Sequence, residues 1–296
     1  MKRLTCIAAA VLHVLATVPA GAEAAVAATD DAGHRVELPS PARRIVTLAP
    51  HLTELVYEAG AGERLVGVAA HSDFPLQARE LPRVGDAHGL DLERIVVLQP
   101  DLVIAWGSGS PPRQVARLRR LGYAVFANEP RRLDDIAATL ERIGTLAGTE
   151  NTARSRALAF RQQLAGLRHR YGDQPAVRVF YQIWNHPLLS VNADHVIADA
   201  LTQCGAENVL KAMAVRIPHP GHDAVLLADP DAIVVAAGPR AAESLRAEWR
   251  RWTRLRAVRG GHVFAVDPSL LHRHTARILD GVSALCLQLD AVRSGR

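Results

Sequence analysis

The sequence of 296 residues contains very little lysine. Lys2 and Lys211 are its only lysines, and arginine supplies the other 33 basic side chains. Acidic residues are scattered among these arginines, and no basic run is interleaved with aromatic residues. Nucleic-acid-binding proteins usually concentrate basic side chains in a patch or stripe. The net charge of +5 therefore indicates a solvated, arginine-rich surface, and no nucleic acid is expected as a partner.

The sequence also lacks the common catalytic and metal-binding motifs. It has no GxSxG elbow and no HExxH pair, and Gly107-Ser108-Gly109 lacks the rest of a phosphate-binding loop. No pair of carboxylates stands out for acid–base catalysis. The 13 histidines form no close set with cysteine. We therefore expect no enzyme activity, no resident cofactor and no protein metal site. A receptor for free metal ions is the remaining alternative of this kind.

Only one stretch is long and apolar, and it lies at the N-terminus. Residues 4–18 follow the charged start Met1-Lys2-Arg3, and small residues at 20–24 offer cleavage sites. This arrangement is typical of a secretory signal peptide, which we place at residues 1–24. The mature protein is therefore predicted to be exported, without a membrane span.

Cysteine is rare, with three residues in the chain. Cleavage of the signal peptide would remove Cys6 and leave Cys204 and Cys286. An even pair in an oxidising compartment favours a disulfide bond, and two buried free thiols are the alternative.

Short apolar segments alternate with helical segments in two parts of the chain. This alternation predicts an α/β fold with two similar lobes, residues 43–148 and residues 175–296, each with a mainly parallel sheet. Residues 149–172 carry an apolar stripe at helical spacing, which predicts one long rigid helix between the lobes. The residues of this stripe are Ala153, Ala157, Phe160, Leu164, Leu167 and Tyr171.

The two halves share a local plan. GLDLERIVVLQPD at 89–101 and HPGHDAVLLADPD at 219–231 each read as a helix, a Pro-Asp turn and the start of a buried strand. Trp106 ends the first of these strands, LVIAW. Ligands of parallel sheets bind beyond the carboxyl ends of the strands, so Trp106 is expected at the mouth of a cleft between the lobes. Its alternative role is to close the edge of the core.

Four segments carry a resemblance to a known family. RIVTLAPHLTEL, VGVAAHSDFPLQ, LDLERIVVLQPDLVIAW and VFYQIWNHPLLSV, in this order, resemble the periplasmic cobalamin-binding proteins of ABC importers. The wider group includes binders of haem and siderophores, whose two lobes are also joined by a rigid helix. The resemblance covers roughly residues 43–290. It implies a periplasmic, monomeric protein that captures a corrinoid between its lobes, with a haem or ferric-siderophore carrier as the alternative.

The resemblance also implies which residues form the ligand site. Trp106 falls on an aromatic position of the family, whereas His71, Ala87, Ile183 and Leu189 stand where the family has aromatic residues. The cleft is therefore expected to be poorer in aromatic residues and richer in histidine than is usual for the family. The ligand-binding residues implied are His71, Ala87, His88, Trp106, Ile183, Trp184, Leu189, Ser269, Leu270, Leu271, His272 and Arg273.

Two acidic residues are implied as docking residues. Glu93 and Asp223 are 130 positions apart, the offset of the shared plan, and each opens a predicted helix. A carboxylate at a helix start is also favourable for the helix itself. In the family, one exposed acid on each lobe contacts arginines of the inner-membrane permease dimer. The resemblance thus implies an ABC permease as partner, with Glu93 and Asp223 at the contact.

Overall fold

The computed structural model describes residues 24–295. The predicted signal peptide, residues 1–24, lies outside the described residues except for its last position. The described chain begins with an antiparallel hairpin of β1 (Val26–Thr29) and β2 (Arg35–Leu38). The hairpin turn is tied to the first lobe, because the backbone N–H of Asp31 donates to the carbonyl oxygen of Ala127 at 2.9 Å.

The first lobe contains a four-stranded parallel sheet. Its strands are β3 (Ile45–Thr47), β4 (Leu65–Val68), β5 (Leu102–Trp106) and β6 (Val125–Asn128), in the spatial order β4-β3-β5-β6. Its helices are α1 (Pro50–Glu58), α2 (Leu92–Val97), α3 (Pro112–Arg120) and α4 (Leu133–Ala147). The central strands are buried on both faces, which explains their continuous apolar sequences.

One long helix, α5 (Glu150–Tyr171), follows α4 almost directly. Gly148 makes this possible, because its φ of 61° lies in the left-handed region that ends a helix without steric cost. Five of the six predicted stripe residues are buried, and Leu167 is partly buried against the same core. At about 1.5 Å per residue, the helix is about 33 Å long and spans the molecule. The predicted linking helix is confirmed.

The second lobe repeats the plan of the first. Its strands are β7 (Val177–Gln182), β8 (Ala206–Asn208), β9 (Ala232–Ala236) and β10 (Val263–Val266), in the order β10-β9-β7-β8. In both sheets the first strand lies between the second and the third, and the fourth lies beyond the third. The helices are α6 (Val196–Gln203), α7 (His222–Ala228), α8 (Pro239–Arg250), α9 (Arg256–Arg259), α10 (Pro268–Leu271) and α11 (Ile278–Ser294).

A disulfide bond joins Cys204, at the end of α6, to Cys286 in α11. Both residues are fully buried in the apolar cluster that also contains the buried face of α5. The predicted disulfide is confirmed. Within residues 24–295, no helix is long and apolar enough to cross a membrane.

Candidate ligand-binding cleft

A cavity of about 490 Å³ lies between the two lobes at the carboxyl ends of their strands. We call it the cleft cavity. The first lobe supplies residues that end or follow β5 and β6. The second lobe supplies residues that follow β7, precede or begin α6, lie in the loop between β8 and α7, or follow α10. The residues that line the cleft cavity are Trp106, Ser108, Glu129, Pro130, Ile183, His195, Ile197, Arg216, Ile217, His272 and His274.

Trp106 forms one wall of this cavity, and the loop that follows it supports the indole. A Cβ atom at Gly109 would lie 1.9 Å from Cε3 of Trp106, so only glycine fits beneath the ring. The hydroxyl of Ser110 accepts a hydrogen bond from the backbone N–H of Trp106 at 3.0 Å. The indole N–H of Trp106 is buried, and no described residue accepts its hydrogen bond.

A smaller cavity of about 200 Å³ lies next to Trp106 on the side of the first lobe. We call it the side cavity. His71, Ala87 and His88 line it together with Trp106. Trp106 is therefore shared by both cavities, so the first-lobe histidines His71 and His88 lie next to the cleft cavity.

Four histidines surround the inner end of the cleft. The ring centroids of His51 and Trp106 are 5.2 Å apart, those of His51 and His274 are 5.5 Å apart, and those of His195 and His274 are 5.9 Å apart. The fourth, His272, lies on the cavity wall, where its Nε2 is 3.2 Å from the hydroxyl of Tyr181.

Burial keeps these four imidazoles uncharged at neutral pH. It lowers the pKa of His195 and of His274 to about 3 and that of His272 to about 4, and it holds the pKa of His51 well below its usual value. Burial also raises the pKa of Tyr181. The inner end of the cleft therefore offers hydrogen-bonding groups without net charge.

The ring nitrogens of His195 and His274 differ in their hydrogen bonding. Nδ1 of His195 accepts the backbone N–H of Ile197 at 3.1 Å, so the neutral ring carries its proton on Nε2 and can donate from there. Nδ1 of His274 is buried, and no described residue pairs with it. Buried polar atoms are normally paired, so this nitrogen and the indole N–H of Trp106 are candidates for contacts with a ligand.

One ion pair crosses the cleft on its outer side. The guanidinium of Arg216 in the second lobe donates to Oε1 of Glu129 in the first lobe, and we call these residues the cleft pair. Glu129 also accepts from the backbone N–H of Ser108 at 2.6 Å and from its hydroxyl at 3.1 Å. A second, exposed pair joins Arg131 Nη1 to Asp194 Oδ2 at 2.8 Å.

A second set of contacts joins the lobes around the fully buried side chain of Glu54, and we call Glu54, Asp73, Arg273 and Arg277 the hinge cluster. Arg273 Nη1 lies 2.8 Å from Glu54 Oε1 and 2.6 Å from Asp73 Oδ1. Arg277 Nη1 lies 3.2 Å from the other oxygen of Glu54, and the Glu54 side chain is fully buried. Arg273, implied as a ligand residue by sequence, is placed here and lines neither cavity.

The other residues implied by sequence fall into two groups. Ile183 and His272 line the cleft cavity with Trp106. Trp184 is 62% exposed, donates its indole N–H to the carbonyl oxygen of His186, and pairs with Leu189 across a short bridge. Residues 269–271 belong to α10 and are absent from both cavity walls, and Leu271 is buried in the core.

Several residues that the structure brings to the cleft carry no recognisable signal in the sequence. The side chains of Glu129, Arg216 and His195 line the cavity, but none of them belongs to a recognisable motif. His51 and His274 likewise belong to no motif that distinguishes them from the other histidines of the chain. Among residues 24–295, no group of three or more His, Cys, Asp or Glu side chains is arranged to hold a metal ion.

Glu93 and Asp223 lie away from both cavities. Each is exposed, near the start of α2 and α7 respectively. Neither side chain makes a hydrogen bond or an ion pair with another residue in the described part of the chain.

Two similar α/β lobes on a common helix, with a cleft between them, define a protein that encloses a ligand rather than one that merely exposes a surface. The chain belongs to the periplasmic binding protein family, whose pattern matches residues 45–270. The resemblance stated from the sequence is confirmed.

Proteins similar to this chain include vitamin B12-binding proteins. The chain is 36% identical over 252 residues to the vitamin B12-binding protein of Vibrio cholerae serotype O1, covering 85% of this chain and 90% of that protein. The crystal structure of the periplasmic vitamin B12-binding protein BtuF of Vibrio cholerae has a TM-score of 0.80 at 35% identity, covering 86% of this chain and 98% of that one. A periplasmic haem-binding protein from Pseudomonas aeruginosa has a TM-score of 0.70 at 27% identity, covering 83% and 91% of the two chains.

Proposed function

We propose that this protein captures a corrinoid such as cobalamin in the cleft between its lobes and delivers it to an ABC permease dimer of the inner membrane. It acts in the periplasm as a monomer and without catalysis, after removal of its signal peptide. The observation that carries the proposal is an uncharged inner cleft walled by Trp106, in a fold similar to that of a vitamin B12-binding protein.

The chemistry of the cleft suits a corrinoid. The indole of Trp106 offers a flat apolar face for the macrocycle, and apolar contact with Ile183 and Ile217 adds to it. Neutral amide groups on the rim of a corrinoid can bond to neutral donors such as Nε2 of His195. Because no net charge lies at the inner end of the cleft, a ligand with neutral side groups is favoured there over a polyanion.

His71 is the second residue that we assign to the ligand. It borders the side cavity next to Trp106, and its φ of 62° holds the backbone in an uncommon conformation that fixes the direction of the side chain. Replacement of His71 by Ala should weaken cobalamin binding without changing the melting temperature by more than a few degrees. Unchanged affinity in this variant would remove His71 from the site.

Haem is the second candidate ligand. A neutral imidazole with an unpaired Nδ1 at His274 could approach the iron of haem or the cobalt of a corrinoid, since the macrocycle supplies the other ligands. A ferric siderophore is a further ligand class for this fold.

Calorimetric titration of the mature protein with cobalamin, haemin and zinc chloride tests the proposal. We expect cobalamin to bind with one site per chain and haemin to bind more weakly. Tighter binding of haemin would identify a haem carrier, and binding of zinc alone would identify a metal-ion receptor. Consumption of the ligand in any of these titrations would contradict the absence of catalysis.

Glu93 and Asp223 are proposed to contact the permease. Both are exposed and unpaired in the described part of the chain, and they lie at equivalent positions of the two lobes. A partner with two-fold symmetry requires such equivalent points. The double variant Glu93→Gln, Asp223→Asn should bind cobalamin normally and associate less well with the permease, and the loss should be larger at low salt. Loss of cobalamin affinity with normal permease association would show that the two acids contribute to the ligand site and not to the permease contact.

A further inference from the structure

Two apolar side chains stand out from the surface of the protein at equivalent places. Leu227 is 91% exposed and Val97 is 78% exposed, the highest values for large apolar residues within residues 24–295. They are 130 positions apart, the same offset that separates Glu93 from Asp223. Each apolar residue follows its acid by four positions, so acid and apolar side chain share one face of a helix, α2 or α7.

The two helices are also held in place by the same arrangement. The guanidinium of Arg44 donates to the carbonyl oxygen of Leu98, at the end of α2, at 2.7 Å. The guanidinium of Arg178 donates to the carbonyl oxygen of Ala228, at the end of α7, at 2.7 Å. Since each arginine belongs to or directly precedes the first strand of its sheet, each helix is fixed to the centre of its lobe.

The turns that follow the two helices match as well. Gln99 has a φ of 44° and Asp229 a φ of 41°, the same left-handed conformation in each turn. Asp101 then accepts the backbone N–H of Arg44 at 3.0 Å, and Asp231 accepts that of Arg178 at 3.0 Å. The acid and the apolar side chain are therefore presented on two rigid, structurally equivalent platforms.

We infer that Val97 and Leu227 are contact residues for the permease dimer, each forming a docking point together with the acid one turn before it. This inference rests on the proposed function and extends it. The partner surface must offer, on each of its two subunits, a cation next to a shallow apolar depression about one helical turn away. Covering an exposed Leu or Val side chain stabilises a complex at any salt concentration, whereas an acid alone gives a salt-sensitive contact.

The test compares three double variants for association with the reconstituted permease, at low and at high salt. Val97→Ser with Leu227→Ser should weaken association about tenfold at both salt concentrations, because apolar burial is not screened. Glu93→Gln with Asp223→Asn should weaken it mainly at low salt. Leu158→Ser with Leu287→Ser is the matched control, since these residues are 56% and 59% exposed on other helices, and it should leave association unchanged.

Cobalamin titration of the same variants shows whether each is folded, and all three should bind as the wild type does. If the acid variant weakens association and the apolar variant does not, the inference about Val97 and Leu227 is wrong and the docking acids stand. If neither variant weakens association, the docking proposal itself fails. An equal loss in the control variant would also overturn the inference, because the effect would then belong to any exposed apolar residue.

Discussion

The carboxylate of Glu58 should make the stability of this protein depend on pH near neutrality. Glu58 ends α1, and its Oε2 accepts the backbone N–H of Ala276 in the second lobe at 3.2 Å. Burial raises the pKa of Glu58 from 4.5 to about 7; the hydrogen bond from Ala276 lowers it, the charge of Glu54 raises it, and Arg156 and Arg277 lower it slightly. This carboxyl is therefore about half ionised at neutral pH, at a contact between the lobes.

The direction and size of the effect follow from linkage. Because the folded-state pKa is above the unfolded value, the folded protein binds the proton more tightly, and stability falls as the pH rises from 4.5 through 7. One pKa unit corresponds to about 1.4 kcal/mol, so the rise from 4.5 to about 7 represents about 3 kcal/mol in total. About 2.5 kcal/mol of this should be lost between pH 5 and pH 8.

Urea denaturation of the wild type and of Glu58→Gln at pH 5 and pH 8 measures this loss. Glutamine keeps the acceptor for Ala276 but does not ionise. From pH 5 to pH 8 the difference in free energy of unfolding between the two proteins should therefore shift by about 2.5 kcal/mol in favour of the variant. The lowered pKa values of the cleft histidines also make the protein less stable as the pH falls below 6.5. This loss is the same in the wild type and in the variant, so it cancels when the two proteins are compared. A difference between the two proteins that stays constant with pH would refute the reasoning.

Two further predictions concern the core and the cleft. The double change Cys204→Ala, Cys286→Ala should lower the free energy of unfolding by up to about 4.5 kcal/mol, because the disulfide closes a loop of 82 residues; urea denaturation measures the loss, and an unchanged midpoint would contradict it. Trp106→Ala should weaken cobalamin binding at least about tenfold, because it removes the wall shared by both cavities. If calorimetry finds normal affinity and only the melting temperature falls, Trp106 serves the core alone.

The elements with strong local patterns were predictable from the sequence. The helix α5 follows from an apolar stripe that its buried residues reproduce, and β5 follows from an apolar run after a Pro-Asp turn. The helix α8 was not predicted, because its apolar stripe of Ala242, Leu245 and Trp249 is short and only two of its 12 residues are fully buried. The β1–β2 hairpin was missed because its strands have four residues each, too few for a clear alternation.

The candidate site was predictable only where a residue ends a recognisable element. Trp106 could be placed at the cleft because it ends β5. Glu129 and Arg216 could not, because they are 87 residues apart and meet only when the two lobes face each other. Arg273 was assigned to the ligand by resemblance alone. Its contacts with Glu54 of α1 and with Asp73 in a first-lobe loop form only where the two lobes meet, and no local sequence pattern encodes that meeting.

The contacts between the lobes differ enough in burial to predict how the cleft opens. Glu54 is fully buried and Arg273 is 18% exposed, and breaking such a pair costs about 3–5 kcal/mol. The Arg131–Asp194 pair is about half exposed on both sides and is worth about 1 kcal/mol or less. The cleft pair is intermediate in burial, because Glu129 is 19% exposed and Arg216 is 27% exposed. The lobes should therefore separate at the cleft pair and stay joined at the hinge cluster, with α5 limiting the motion.

The rate of ligand association should therefore change when the cleft pair is broken and stay the same when the hinge cluster is weakened. Glu129→Gln removes the charge but keeps the acceptor for Ser108, so stopped-flow mixing with cobalamin should give faster association, because the closed state is less favoured. Arg277→Gln, which removes one of the two arginines on Glu54, should lower stability and leave the association rate nearly unchanged. The opposite result would be faster association in Arg277→Gln and an unchanged association rate in Glu129→Gln. It would mean that the lobes separate at the hinge cluster and that burial does not decide which contact breaks first.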